Sequence, residues 1–133
     1  MFTKKSGKPQ SRIDSLIGAG TSVEGDVRFA GGLRVDGTIK GNVSAADGEH
    51  STLVISEQAR IEGDVCVAHL VINGTVAGAV TSSELLELQS RAQVTGDVQY
   101  NTIEIHLGAV IQGRLIHQGT VAKAVELKLA SSK

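Results

Sequence analysis

Apolar and polar residues alternate with a period of two along almost the whole chain. In residues 33–43, apolar residues and glycines occupy every odd position, and charged or polar residues occupy the even ones. Successive side chains of a β-strand point to opposite faces, so the alternation predicts strands with one apolar and one polar face. A short helical turn at 82–88 is compatible with the pattern, but no long segment has a helical period. The chain is therefore predicted to be all-β.

Two short motifs recur in step. An apolar-x-apolar triplet starts at Leu33, Leu53, Leu70, Leu86 and Ile103, with a weaker copy at Ser15. An apolar-x-Gly-x-apolar motif has its glycines at Gly25, Gly41, Gly63, Gly78, Gly96 and Gly113, and an insertion at 45–51 lengthens one interval. Glycines at apolar positions predict structural corners, where a side chain would collide with the adjacent turn or the backbone needs a positive φ.

The repeat of 16 to 20 residues is too short for a strand and a helix. It suits one turn of a parallel β-helix (β-solenoid) with about three short strands per turn. Turns stack at the strand spacing of about 4.8 Å, so about six turns would form a rod roughly 30 Å long. We expect one solenoid domain over residues 14–129, a disordered basic tail at 1–13 and a short C-terminal tail at 130–133.

Composition narrows the possible partners. There are 13 Lys+Arg against 14 Asp+Glu, so a strongly basic surface for nucleic acid is not expected. The aromatic residues are Phe2, Phe29 and Tyr100, too few for a base-stacking platform. Cys66 is the single cysteine, which excludes an intrachain disulfide and fits a reducing compartment. With neither a membrane span nor a signal peptide in the pattern, we expect a cytoplasmic protein.

The residue types that could carry chemistry are scattered. The histidines are His50, His69, His106 and His117, and none forms a His-x3-His pair. The acids of the glycine motifs are Glu24, Asp26, Glu62, Asp64 and Asp97. On a smooth rod these acids would be solvated, without the cleft that raises the pKa of a catalytic acid. No phosphate-binding loop of the Gly-x4-Gly-Lys type is present. We expect no catalytic, cofactor, nucleotide or metal site.

The glycine motifs resemble those of the bactofilins, a family of bacterial cytoskeletal proteins. The residues that carry the resemblance are Val-Glu-Gly-Asp-Val at 23–27 and Leu-Arg-Val-Asp-Gly-Thr-Ile-Lys-Gly-Asn-Val at 33–43. The resemblance extends over about residues 14–129. It implies a right-handed β-helix whose subunits join end to end into non-polar filaments without nucleotide. It also implies a scaffold for cell shape or for cell-wall enzymes.

The first residues resemble the membrane-targeting start of many bactofilins. They read Met1, Phe2, Thr3, Lys4 and Lys5. Phe2 could insert into the bilayer interface, and each lysine could attract anionic lipid with about 1 kcal/mol. One such tail would bind weakly, but a polymer would array many of them. The resemblance therefore implies a location on the inner face of the cytoplasmic membrane, with membrane lipids as partners.

The ends of the predicted solenoid carry the expected polymerisation interface, because no segment reads as a cap. Its expected residues are Ile13, Leu16, Ile17, Val23 and Val27 in the first turn and Val121, Val125, Leu127 and Leu129 in the last segment. Joining like ends would give two isologous contacts that propagate a filament. A charge at Leu127 or Leu129 is expected to yield small soluble species.

Two other functions are compatible with a β-helix. One is an acyltransferase on a left-handed hexapeptide β-helix, which would need an aliphatic residue every six positions and a histidine framed by an extended loop. The other is a scaffold that does not polymerise and binds a cell-wall enzyme through its polar faces. Filaments seen by electron microscopy without nucleotide would favour the polymer, and acetyl-CoA-dependent turnover by a trimer would favour the enzyme.

Overall fold

The described part of the chain winds as a parallel β-solenoid of six turns. The computed structural model describes residues 13–46 and 50–118, which contain sixteen strands and no helix. Turn one comprises β1 (Ser15–Ile17), β2 (Ser22–Glu24) and β3 (Val27–Phe29). Turn two comprises β4 (Gly32–Val35), β5 (Thr38–Lys40) and β6 (Val43–Ala45). Turn three comprises β7 (Thr52–Ile55), β8 (Arg60–Glu62) and the first half of β9 (Val65–Ile72). Turn four comprises the rest of β9, β10 (Thr75–Ala77) and the first half of β11 (Val80–Leu88). Turn five comprises the rest of β11, β12 (Gln93–Thr95) and β13 (Val98–Tyr100). Turn six comprises β14 (Thr102–Ile105), β15 (Val110–Gln112) and β16 (Leu115–His117). The segment 82–88 is strand, and the helical turn considered for it does not form.

Every strand pair is parallel, and equivalent strands of successive turns lie side by side. Within each motif the register follows the sequence repeat, and the register shifts once between β9 and β11, at Ser82 to Leu85. The triplets stack as Leu33, Leu53, Leu70, Leu86 and Ile103. The glycine motifs stack as Val23, Ile39, Ile61, Val76, Val94 and Ile111. The repeat therefore predicted both the solenoid and its register correctly; the right-handed winding rests on the resemblance.

The core consists of aliphatic columns that run along the axis of the rod. In the column of Ile39, every member of the four inner turns is at most 1% exposed. Burial of one such side chain contributes about 1.5–3 kcal/mol, and stacking repeats that contribution turn after turn. Phe29 and Tyr100 are only partly buried at the margin of the core. The described core thus depends on Val, Ile, Leu and Ala.

The six motif glycines form a column of their own at one corner of the rod. A Cβ atom on Gly41 would lie against the carbonyl oxygen of Gly25 and 3.0 Å from the amide nitrogen of Asp26. From Gly63 to Gly113, a Cβ atom would meet the carbonyl of the preceding motif glycine in the same way. Neighbouring turns come this close only because the corner has no side chain.

The residues that follow these glycines form a ladder of hydrogen bonds between turns. The backbone N–H of Asn42 donates to Asp26 Oδ1 at 2.9 Å, and that of Asp64 donates to Asn42 Oδ1 at 2.9 Å. The N–H of Ala79 donates to Asp64 Oδ1 at 3.0 Å, and that of Arg114 donates to Asp97 Oδ1 at 3.1 Å. Aspartate and asparagine recur here because each accepts a hydrogen bond from the next turn. Ala79 occupies the same position but has no side-chain acceptor, so the ladder has one gap there.

Candidate functional site: the open ends of the solenoid

Each end of the described solenoid presents strands that are paired on one side only. Within residues 13–46 and 50–118, β1, β2 and β3 pair only with β4, β5 and β6. At the other end, β14, β15 and β16 pair only with β11, β12 and β13. A parallel strand with a free edge can extend its hydrogen-bond ladder to another strand. The backbone of both described ends is therefore suited to adding a further layer.

The aliphatic columns lose their cover in the first turn. Ile17, Val23 and Val27 are only partly buried, whereas their partners in turn two, Val35, Ile39 and Val43, are wholly buried. The two sets have the same residue types and the same register, so the missing cover explains the difference. Three of the residues expected at the polymerisation interface thus lie on one cross-section of the core.

Leu16 and Ile13 occupy other positions. Leu16 is 61% exposed, and its pairing with Arg34 places it in the outward column beside the end, not in the core cross-section. The alternation around Ile17 gives the reason, because neighbouring residues of a strand point to opposite faces. Ile13 is also exposed, two residues before β1. Leu16 was expected at the polymerisation interface; its side chain lies on the outward face beside that end, and a part in assembly stays a prediction.

The sixth turn repeats this change in burial at the opposite end. Ile105 and Leu115 are 48% and 46% exposed, whereas Leu88 and Val98 in turn five are wholly buried. Ile103 and Ile111 are partly buried in the same turn. None of these residues was expected at the interface from the sequence, although Ile111–Leu115 is the last copy of the glycine motif. The residues expected at this end, Val121, Val125, Leu127 and Leu129, lie outside the described residues.

Ion pairs occupy the outward columns. Arg114 Nη2 lies 3.0 Å from Asp97 Oδ2, and this guanidinium lowers the pKa of the Asp97 carboxyl. Arg60 Nε lies 2.8 Å from Glu62 Oε2 and lowers the pKa of Glu62 in the same way. Lowered pKa values keep these acids ionised, which is the opposite of what a general acid requires.

A surface concavity of about 420 Å³ also contains charged groups. Its lining includes Arg34, Asp36, Ser56 and Glu57. The hydrogen bond from Ser56, followed by the contact with Arg34, lowers the pKa of the Asp36 carboxyl. The lining therefore holds an ionised acid and a guanidinium, which bind each other across 3.1 Å.

The histidines lie in four different environments. His50 Nδ1 is 2.9 Å from Glu84 Oε2, and His117 packs against Tyr100 with ring centroids 5.4 Å apart. His69 Nε2 is buried without a hydrogen-bond partner. His106 lies near two glutamates, Glu87 and Glu104. Stacking of turns brought this last group together, which spacing along one strand could not reveal. Cys66 is exposed, in agreement with its polar position in β9.

The fold and its ends define a class: an aliphatic β-solenoid with two open terminal turns. The family profile described as "Bactofilin: Polymer-forming cytoskeletal" matches residues 15–116, and the chain belongs to this family. Membership supports the polymer-forming interpretation over the acyltransferase alternative. Among the described residues, no helix long and apolar enough to cross a bilayer occurs.

Two curated bactofilins of Myxococcus xanthus resemble the chain. BacO is 26% identical over 102 residues, which cover 77% of this chain and 78% of BacO. BacP is 24% identical over 116 residues, which cover 86% of this chain but only 47% of BacP, so the chain spans about half the length of that relative. A cryo-EM reconstruction of Thermus thermophilus bactofilin double helical filaments has a similar fold. Its TM-score is 0.62 at 24% identity, and the match covers 76% of this chain and 98% of the other.

Proposed function

We propose that this bactofilin polymerises by docking the open ends of its solenoid, without nucleotide. The observation that carries the proposal is the loss of cover of the same aliphatic columns at both described ends. A second subunit would continue the core and satisfy the free strand edges in one contact. The filament reconstructed for the Thermus thermophilus bactofilin is a precedent from a protein of similar fold.

Like ends would meet in the proposed filament. A contact between two first turns is isologous, and a contact between two last turns is a second isologous contact. Alternating the two contacts propagates a filament without overall polarity. Each contact would cover aliphatic residues on both partners, for example Val27 at one end and Leu115 at the other.

The test places one charge in each end and compares it with a charge beside that end. Val27→Asp and Leu115→Asp introduce carboxylates into the two cross-sections of the core. Leu16→Asp and Val110→Asp are the matched controls, because pairing with Arg34 and Gln93 puts both residues in outward columns. A buried unpaired carboxylate is costly enough to prevent docking, whereas an exposed one is solvated.

The end variants should lose filament formation, and the control variants should keep it. Each end variant should stop at dimers joined through its remaining end, and the double variant should be monomeric in sedimentation velocity. The control variants should form filaments in negative-stain electron microscopy without added nucleotide. Filaments of the double variant, with an unchanged circular dichroism spectrum, would show that assembly does not use the ends.

We further propose that the filament lies on the cytoplasmic membrane and serves as a scaffold. Met1, Phe2, Lys4 and Lys5 combine an apolar anchor with two cations suited to anionic lipid. Their resemblance to a membrane-targeting start supports the proposal. A filament would repeat each outward column at fixed intervals, which suits the collection of several copies of a cell-wall enzyme.

A further inference from the structure

Two glutamates and a histidine converge on the outer surface where turns five and six stack. Glu87 in β11 pairs directly with Glu104 in β14, so two carboxylates of like charge are neighbours across the strand spacing. His106 follows Glu104 by two residues, and its Nε2 lies 3.4 Å from Glu87 Oε2 and 3.2 Å from Glu104 Oε2. One ligand atom from each of the three residues lies within 4.8 Å of the others.

The juxtaposition leaves a place for a cation. Like charges directly opposite one another on neighbouring strands destabilise a sheet. A neutral imidazole presents a lone pair at Nε2 in one tautomer, and in the other its Nε2–H donates to a carboxylate and leaves the contact between the two carboxylates uncompensated. A metal ion bound by the three side chains makes all three contacts favourable.

The spacing and the ligand types favour a metal ion. Zinc bonds to imidazole nitrogen and carboxylate oxygen are about 2.0–2.2 Å, so ligands in a tetrahedral site are separated by roughly 3.3–3.5 Å. The two distances from His106 Nε2 are close to that separation. Gln89 Nε2 also donates to Glu87 Oε2 at 3.1 Å, a contact of the type that orients metal-binding carboxylates.

We propose that Glu87, Glu104 and His106 bind a divalent transition-metal ion of the zinc type. The imidazole disfavours Mg²⁺ and Ca²⁺, which prefer oxygen ligands alone. The bound ion would link turn five to turn six, next to the end where Ile105 is exposed. Its role would be structural, because it would fasten the last described turn to the stack. Binding is independent of filament formation, so the two proposals can fail separately.

The test measures Zn²⁺ and Co²⁺ binding to the full chain after treatment with a chelator. Isothermal titration with Zn²⁺ gives stoichiometry and affinity, and the visible absorption of Co²⁺ reports the coordination geometry. The variants are His106→Asn and Glu104→Gln. His50→Asn is the matched control, because His50 contacts a single carboxylate, that of Glu84.

The proposal expects one ion per chain, intense Co²⁺ bands of a four-coordinate site, and a higher melting temperature with Zn²⁺. His106→Asn and Glu104→Gln should each weaken Zn²⁺ binding by about tenfold or more and remove the Co²⁺ bands. His50→Asn should bind both ions like the wild type. Mg²⁺ should not compete. The proposal is wrong if Zn²⁺ does not bind saturably, or if His106→Asn binds it as tightly as the wild type.

Discussion

At the scale of single residues, the side chain that follows a motif glycine can accept a backbone hydrogen bond from the next turn. Asp26 and Asn42 each accept a backbone hydrogen bond from the turn beyond them. Because Asn42 lies between Asp26 and Asp64, the column gains an acceptor there without placing three negative charges together. Ala79 is exposed and offers no acceptor to the turn of Asp97.

Ala79→Asn should therefore stabilise the protein. Its Oδ1 would accept from the N–H of Asp97, as Asn42 Oδ1 accepts from Asp64. A single such bond contributes about 0.5–1.5 kcal/mol. Urea unfolding at fixed protein concentration should have a higher midpoint for Ala79→Asn than for the wild type. The control Ala79→Leu adds volume without an acceptor, and an equal gain from it would contradict the hydrogen-bond explanation.

At the scale of elements, stacking of strands decides which side chains meet. The period of two and the glycine spacing were enough to predict the inward columns, because each turn buries the same positions as the one before. On the outer surface, the register of the triplets aligns Glu87 with Glu104 and Leu16 with Arg34, and the structure contains both pairs. The approach of the His106 side chain to both glutamates was not predictable, because the alternation does not fix the rotamer of an exposed side chain.

The contact between Asp97 and Arg114 joins β13 and β16 at the corner and should make stability depend on pH. Arg114 lowers the pKa of Asp97 below its ordinary value of 3.8. A carboxyl with a lowered folded-state pKa stabilises the fold above its unfolded pKa, and this contribution is lost as pH falls through the folded value. Wild-type stability should therefore decline below about pH 4.

Asp97→Asn isolates this contribution, since the amide oxygen can keep the hydrogen bond from the N–H of Arg114. The variant should be less stable than the wild type at pH 7, and the difference should shrink as pH falls below about 4. Asp64→Asn is the control, because Asp64 accepts the same backbone hydrogen bond but forms no ion pair with an arginine among the described residues. Urea midpoints from pH 7 to 3 provide the measurement, and a constant difference for Asp97→Asn would contradict the explanation.

At the scale of the whole molecule, filament formation and membrane binding should be coupled. The six described turns at about 4.8 Å span roughly 30 Å, so joined like ends would present pairs of N-terminal tails about 60 Å apart. One apolar side chain with two lysines holds a monomer only weakly, whereas a row of tails binds by avidity. The Val27→Asp, Leu115→Asp double variant should therefore lose membrane binding although its tail is intact.

Co-sedimentation with vesicles that contain anionic lipid separates the possible outcomes. The wild type and the Leu16→Asp, Val110→Asp control should pellet with the vesicles at low salt, and less so as salt screens Lys4 and Lys5. A chain without residues 2–5 should form filaments that do not bind, and the double end variant should neither assemble nor bind. If monomers of that variant bind the vesicles as strongly as wild-type filaments, avidity is not what attaches the polymer to the membrane. The tail would then be a sufficient anchor by itself.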